Sequence, residues 1–194
     1  MSRPRLNSSY ANSIRVGIES ESWNFVRKQL QNDTTNMKCA HKTYIGGNTA
    51  LHLVCQHNPP IDIVQKLIDA NPHAVRKKNL AGEIPLHLAT GHNLASLEVI
   101  DLLVKTDRKT VGIPSNSLKQ TALHQACTFH APIDVIYLLI DAYPEAIHQK
   151  DEIGRTPFDI SKSTFTLLNP SNWKVLYKLS HEPHGTSKNL LQIH

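Results

Sequence analysis

A four-residue motif that recurs at nearly constant spacing constrains this chain more than any other feature. It reads TALH at 49–52, IPLH at 84–87, TALH at 121–124 and TPFD at 156–159. Its copies start 35, 37 and 35 residues apart, so one structural unit is repeated with small insertions. A unit of this length cannot bury an apolar face alone and has to stack on its neighbours. The spacing therefore predicts an elongated array, which offers a surface for recognition and implies no reaction centre.

The residues between two motifs predict a pair of helices in each unit. The first helix starts within the motif at 49–52 and is interrupted by the two prolines at 59–60. The segment 61–68 then carries apolar residues at helical spacing, which predicts a second helix with one buried face. This helix should end at Asn71, because a residue that precedes a proline (here Pro72) is disfavoured in the helical region. The residues that follow should return the chain to the next motif as an extended turn.

Two helices followed by a glycine-marked hairpin that carries T-P-L-H-x-A are the signature of ankyrin repeats, and the chain resembles this family. The resemblance implies an all-α solenoid of about five ankyrin-type units, in which helix–turn–helix repeats are joined by β-hairpin-like loops. The implied domain is 12–179, with an N-terminal capping unit at 12–46 and tagged units that start near 47, 82, 119 and 154. A disordered N-terminus at 1–11 and a polar C-terminal tail at 180–194 would flank it.

Two residues depart from the repeated pattern. Lys119 stands where the other three tagged units have glycine, so an altered hairpin turn is expected in that unit. Asp159 replaces the histidine of the motif, so the last unit should close the stack differently.

The histidines of the motif resemble metal ligands but are expected to be structural. His52, His87 and His124 occupy the same position in three units, and the resemblance implies that each ties neighbouring hairpins together. Units packed about 10 Å apart keep them too distant to share a zinc ion, which binds nitrogen at about 2 Å. Cys55 and Cys127 are also equivalent to each other and should be small buried thiols.

Nothing in the sequence points to catalysis or to a cofactor. Cys39 and His41 form a lone Cys-x-His pair that would need two further zinc ligands. No Ser/His/Asp arrangement, paired carboxylates or glycine-rich phosphate loop is present, so we expect a protein that is not an enzyme and binds no cofactor. No apolar run approaches the roughly 18 residues of a membrane span, and the N-terminal residues lack a signal-like apolar region. The expected location is the cytoplasm, with the nucleus as the alternative, and the expected state is a monomer.

The resemblance places partner contacts on the hairpin tips and on the exposed side of the first helices, the concave face. Each tip has one apolar residue three or four positions before the motif, which either anchors a partner or packs on the adjacent hairpin: Ile45, Leu80, Leu118 and Ile153. The first helices add the residues eight positions after each motif start: His57, His92 and Phe129. The apolar ring of Phe129 would be stabilised at this position only if a partner, or the loop of its own unit, covers it.

Basic residues close to the tips supply the remaining candidates. Lys77, Lys78, Lys150 and Arg155 either steer an acidic segment of a protein partner or form a solvated surface. The predicted function is non-catalytic protein–protein recognition, as a scaffold or an adaptor. The alternative is that the basic hairpin edge binds nucleic acid or another acidic ligand. Nucleic acid is the weaker reading, because no RNA-type aromatic motif accompanies the charges.

Overall fold

The structure is a computed structural model that describes residues 6–32, 38–91, 96–115, 117–163 and 176–178. Its α-helices follow one another without an intervening strand in the described residues. Their bounds are α1 Leu6–Glu19, α2 Trp23–Asn32, α3 Lys38–His41, α4 Ala50–Cys55, α5 Ile61–Ala70, α6 Pro85–Thr90, α7 Leu97–Thr106, α8 Ala122–Thr128, α9 Ile133–Ala142 and α10 Pro157–Ser163. Residues 176–178 are also helical. The all-α architecture expected from the sequence is confirmed.

The helices form two layers that run along the array. The inner layer contains the short helices that begin at the motif, and α4 packs on α6, α6 on α8 and α8 on α10. The outer layer contains the ten-residue helices, and α2 packs on α5, α5 on α7 and α7 on α9. Helix α1 contacts both α2 and α4, so the first two helices form a helix pair like those of the tagged units.

Each outer helix buries one face and leaves the other in solvent. In α5 the buried residues are Ile63, Val64, Leu67 and Ile68, and α7 and α9 bury the equivalent apolar positions. Pro60 and Pro132 immediately precede α5 and α9 with extended backbone angles, as the prolines in the sequence predict. The described apolar residues of both layers form one continuous buried core.

The segment after each outer helix differs from the extended turn that the sequence predicts. Pro72–Arg76, Arg108–Gly112 and Pro144–His148 each form a turn of 3-10 helix. Two side chains of every turn are buried, for example Ala74 and Val75 in the first. Burial of this apolar pair explains why the chain coils back against the outer helix before it enters the next hairpin.

Ion pairs connect each unit to the next one. Arg27 binds Asp62 through two hydrogen bonds of 2.6 and 2.8 Å, Arg76 binds Asp107, and Arg108 lies 3.3 Å from Asp141. Because these side chains are partly or mostly accessible to solvent, each pair is expected to add only about 0–1 kcal/mol.

The N-terminal boundary differs from the one expected. Helix α1 begins at Leu6, whereas the expected capping unit begins at residue 12 after a disordered segment. Residues 1–5 and the expected tail at 180–194 lie outside the described residues.

Candidate partner-binding surface

Four hairpin loops project from the starts of the inner helices. Each is closed by a backbone hydrogen bond from the N–H of its first residue to the carbonyl oxygen of its last. These bonds join Tyr44 to Asn48 (2.7 Å), Asn79 to Glu83 (2.9 Å), Ser115 to Gln120 (2.8 Å) and Asp151 to Arg155 (2.9 Å). We call these loops together the hairpin edge. The third loop contains one residue more than the others, which accounts for the 37-residue spacing only in part.

The residue two positions before the motif is left-handed in every loop. Gly47, Gly82 and Gly154 have φ of 76°, 74° and 84°. Lys119 adopts the same region with φ of 50°, although a side chain disfavours it. The third loop therefore keeps the left-handed turn at this position, and the inserted residue lies before it.

The motif histidines connect each unit to the hairpin of the following unit. Nδ1 of His52 accepts a hydrogen bond from the N–H of Thr49 (3.1 Å), and Nε2 donates to the carbonyl oxygen of Glu83 (3.0 Å). His87 repeats the arrangement with Ile84 (3.3 Å) and Gln120 (2.9 Å). His124 repeats it with Thr121 (3.2 Å) and Arg155 (3.1 Å). The three side chains are thus structural links, as the resemblance implied.

Burial makes these imidazoles hard to protonate. Desolvation lowers the pKa of His52 and of His87 to about 4, and it also lowers the pKa of His124. The positive charges of Lys77 and Lys78 oppose protonation of His52 and His87, respectively. The neutral form with the proton on Nε2 is therefore the one that the hydrogen bonds require.

Asp159 closes its unit in a different way. Its Oδ2 accepts hydrogen bonds from the N–H of Thr156 (2.9 Å) and from the hydroxyl of the same residue (2.7 Å). These bonds hold the pKa of the Asp159 carboxyl below its usual value. A carboxylate has no proton to donate, so it cannot make the second bond that the histidines make.

The apolar tip residues are exposed. The exposed fractions are 79% for Ile45, 83% for Leu80, 50% for Leu118 and 68% for Ile153. Packing between adjacent hairpins, the alternative considered from the sequence, therefore leaves at least half of each side chain in solvent. The tips nevertheless lie side by side in pairs: the N–H of Leu80 donates to Gly46 (2.8 Å), and the N–H of Glu152 donates to Leu118 (2.9 Å).

The basic candidates are not equivalent. Arg155 is held within its own loop, because its Nη2 lies 2.9 Å from a carboxylate oxygen of the buried Asp151. Lys78 donates a hydrogen bond of 2.8 Å to the carbonyl oxygen of Pro114 in the next hairpin. Lys77 and Lys150 are exposed. The four basic candidates are therefore not equally available to attract an acidic partner.

The candidates on the inner helices lie at the opposite end of those helices from the tips. Phe129 follows α8 and is 39% exposed; a Cβ atom built on Gly91 of the preceding unit would lie 3.7 Å from its ring. The neighbouring unit therefore covers part of the ring.

The other two inner-helix candidates are less informative. His57 is half-buried, with Nδ1 3.6 Å from Glu21 Oε1, and His92 lies outside the described residues. A seven-residue helix is about 10 Å long, so a partner needs that width to reach both the tips and Phe129.

The cysteines are buried. Cys39, Cys55 and Cys127 are not disulfide-bonded, and desolvation raises the pKa of Cys55 to about 12 and also raises that of Cys127. In the described part of the chain, no three His, Cys, Asp or Glu side chains gather closely enough to hold a metal ion.

Sequence reasoning missed the polar links between adjacent hairpins. Asn79 Nδ2 donates to Asn48 Oδ1 (3.0 Å), and Gln120 Nε2 donates to Asp151 Oδ2 (3.4 Å). In each pair, the residue one position before a motif bonds to the residue five positions before the next motif. Alignment of the units on their motifs would not have brought these residues together, because it leaves them four positions out of register.

Stacked helix pairs, hairpins and linking histidines define a helical repeat protein. A family model for ankyrin repeats (3 copies) matches residues 51–152, just over half of the chain, and the protein belongs to the ankyrin-repeat family. Proteins of this family generally mediate protein–protein interactions and are non-catalytic. No curated protein matches the sequence. None of the described helices has both the length and the apolar character needed to cross a bilayer.

Proposed function

We propose that this chain is a non-catalytic interaction module that binds a protein partner through the hairpin edge and the adjacent face of the inner helices. The observation that carries the proposal is the exposure of one large apolar side chain at each of the four tips, between 50% and 83%. Exposed apolar residues at equivalent positions of successive units form an anchor line along the array, and covering them with a partner releases water from apolar surface.

The hairpin edge is suited to binding because its loops are already ordered. Each loop is closed by its own backbone bond, and the described loop ends at Glu83, Gln120 and Arg155 are also held by a histidine of the preceding unit. A preformed surface loses little conformational entropy when a partner docks. The affinity can therefore come from a few anchoring side chains.

The remaining predictions about the chain as a whole stay predictions. We propose a repeat domain that ends near residue 179 and whose capping unit, before the tagged units, includes the whole of α1. A monomer in the cytoplasm or the nucleus, with no cofactor, is the state that goes with a recognition module of this kind.

Affinity capture with a tip variant tests the proposal. The variant carries Ile45→Ser, Leu80→Ser, Leu118→Ser and Ile153→Ser, and captured proteins are identified by mass spectrometry after nuclease treatment of the extract. Val16→Ser is the matched control, because Val16 is 55% exposed but lies on α1, away from the hairpins. We expect the wild type and the control to retain the same partners and the tip variant to lose them.

An unchanged set of captured proteins in the tip variant would exclude the hairpin edge as the binding surface. Loss of all captured proteins after nuclease treatment of the wild type would instead indicate binding through nucleic acid.

Phe129→Ala separates the inner-helix face from the tips. The ring is 39% exposed and rests on the preceding unit, so its removal should cost only about 1–2 kcal/mol of the free energy of unfolding. If the partner is wide enough to cover this face, its affinity should fall at least tenfold, as measured by titration calorimetry. A thermal unfolding midpoint lowered so far that the variant is unfolded at 25 °C would show that Phe129 is a core residue.

A further inference from the structure

We propose that the first pair of tips, Ile45 and Leu80, is the principal anchor of the hairpin edge, and that with Lys42 and Lys77 it binds an extended acidic peptide segment of the partner. This inference rests on the proposed function, because it assumes that the hairpin edge is the binding surface. It goes further by dividing the hairpin edge into a first half, the two loops that carry Ile45 and Leu80, and a second half, the two loops that carry Leu118 and Ile153. It also states the chemistry of the segment that binds.

The first tip pair presents more apolar surface than the second. Ile45 and Leu80 are 79% and 83% exposed, whereas Leu118 and Ile153 are 50% and 68% exposed. Gly46 lies next to both tips, since its carbonyl oxygen accepts the hydrogen bond from the N–H of Leu80. The backbone between the two side chains is therefore bare, which lets an extended chain approach closely.

Charge distinguishes the two halves more strongly than exposure does. The segments 41–48 and 76–83 contain four basic side chains of Lys or Arg and one acidic side chain. The segments 113–120 and 149–155 contain three basic and two acidic ones. The first half of the hairpin edge is therefore the more positive.

The second half also neutralises its charges internally. Lys119 Nζ lies 2.6 Å from Glu152 Oε2, and Arg155 Nη2 lies 2.9 Å from Asp151 Oδ2. Two of its three cations thus already have a carboxylate partner within their own hairpin pair, which leaves Lys150.

In the first half, the cations beside the tips are differently placed. Arg76 pairs with Asp107 of the next unit and does not contribute. Lys42 Nζ lies 5.6 Å from the centre of the Tyr44 ring, and within the described residues neither Lys42 nor Lys77 is within salt-bridge distance of a carboxylate. The field of Lys77 also reaches the buried His52, which bonds to the hairpin that Lys77 precedes. Carboxylates of a partner would match both lysines.

The geometry specifies the spacing of the segment that would bind. The hydrogen bond of 2.8 Å from Leu80 to Gly46 holds the two tips closer together than the roughly 10 Å between packed helices. In an extended chain, side chains two residues apart point to the same side and lie about 7 Å from each other. Two apolar side chains two residues apart would therefore meet Ile45 and Leu80 together, and Asp or Glu two positions further along would share that side and meet Lys42 and Lys77.

A random 12-residue peptide library displayed on phage tests this inference with the intact chain. Enriched peptides are synthesised with a fluorescent label, and their affinities are measured by fluorescence anisotropy for four variants. Leu80→Ser and Lys77→Glu alter the first half, and Ile153→Ser and Lys150→Glu are their matched controls in the second. We expect acidic peptides with apolar residues two positions apart, at least tenfold weaker binding for the first two variants, and less than twofold change for the controls.

Each other outcome contradicts a definite part of the argument. Equal losses of affinity in the variants of both halves would show that Ile45 and Leu80 are not the principal anchor, but would keep the hairpin edge as the binding surface. Peptides that bind all four variants as well as the wild type, or a library without enriched sequences, would overturn both. Enrichment of basic or uncharged peptides would overturn the acidic chemistry, as would displacement of the peptide by a single-stranded 12-mer oligonucleotide at physiological salt.

Discussion

The three units that carry a motif histidine differ from the last unit, which carries Asp159, in how far their hydrogen bonds extend. His52, His87 and His124 accept a bond within their own unit and donate another to the next hairpin. Among the residues that the structure describes, Asp159 accepts bonds from Thr156 only, within its own unit.

The difference shows that the motif position performs two separable tasks. One is to accept the N–H at the start of the inner helix, which a carboxylate does as well as an imidazole. The other is to donate to a carbonyl oxygen of the next hairpin, which needs a second nitrogen at the far side of the ring. Only the second task couples one unit to the next.

Acid should affect the two kinds of unit in different pH ranges, and this is the largest effect we expect. The unfolded chain binds protons at His52 and His87 near pH 6.5, whereas the folded chain binds them only near pH 4. Stability is therefore lost as the pH falls through this window, by up to about 3 kcal/mol for each histidine. For Asp159 the folded pKa is depressed, so its contribution is lost only below pH 3.8.

Urea unfolding at a series of pH values between 7.5 and 4 measures this loss. The double variant His52→Asn, His87→Asn is the control, and it should be less stable at pH 7.5 but depend less on pH. A wild-type free energy of unfolding that stays constant down to pH 4 would refute the linkage.

Truncation of one histidine should cost more than truncation of the aspartate. His87 is 1% exposed, and His87→Ala leaves the N–H of Ile84 and one bond of the Gln120 carbonyl without a partner, besides a cavity. We expect a loss of about 3–4 kcal/mol, against about 1 kcal/mol for Asp159→Ala. His87→Asn should fall between them, because its amide oxygen can accept from Ile84 but its amide group is too short to reach Gln120. Equal losses for His87→Ala and Asp159→Ala, in urea unfolding at pH 7.5, would erase the distinction between the units.

The left-handed glycines sharpen the same comparison. A Cβ atom on Gly154 in the last hairpin would meet none of the described residues within 4 Å, but one on Gly47 would lie 3.0 Å from the backbone nitrogen of Leu80. Gly154→Ala should therefore cost only the backbone strain, about 1 kcal/mol. Gly47→Ala should cost roughly 2–3 kcal/mol, because it also displaces the next hairpin. The two thermal unfolding midpoints test this, and a larger loss for Gly154→Ala would contradict it.

Substitution of Lys119 is expected to have the smallest effect, and it is the only one of these substitutions that should raise the free energy of unfolding. Its φ of 50° is strained for a residue with a side chain, so Lys119→Gly should raise the free energy of unfolding by about 1 kcal/mol. The substitution also removes the exposed ion pair with Glu152. Glu152→Gln removes that pair alone and should change stability by about 0.5 kcal/mol at most. If Lys119→Gly is less stable than Glu152→Gln, the strain in this turn is not significant.

The periodic part of the fold could be predicted from the sequence, because it repeats. Spacing of the motifs indicated the units, prolines marked the starts of α5 and α9, and the equivalence of His52, His87 and His124 indicated a structural role. The 3-10 turns were not predicted, since Ala74 and Val75 look like part of a loop until their burial is known.

The partner-binding surface could be predicted only in outline. Composition identified Arg155 as one more cation, but only the structure shows that it binds Asp151 in the same loop. Exposure of Leu80 and of Ile45 depends on how adjacent hairpins stack, which no local pattern encodes. The ring of Phe129 rests on Gly91, a residue 38 positions earlier whose proximity follows from packing alone.

The tips expose apolar side chains without creating the kind of segment that nucleates amyloid. Fibril formation needs five to seven consecutive residues that can extend into a strand. Each tip residue is followed within two positions by a residue with positive φ: Gly46 and Gly47 after Ile45, Gly82 after Leu80, Lys119 after Leu118 and Gly154 after Ile153. No tip residue therefore lies inside a run of consecutive extended residues. The tight turn that raises each tip above the surface therefore also opposes cross-β assembly at the tips, and a concentrated solution of this protein without a partner should stay free of fibrils that start there.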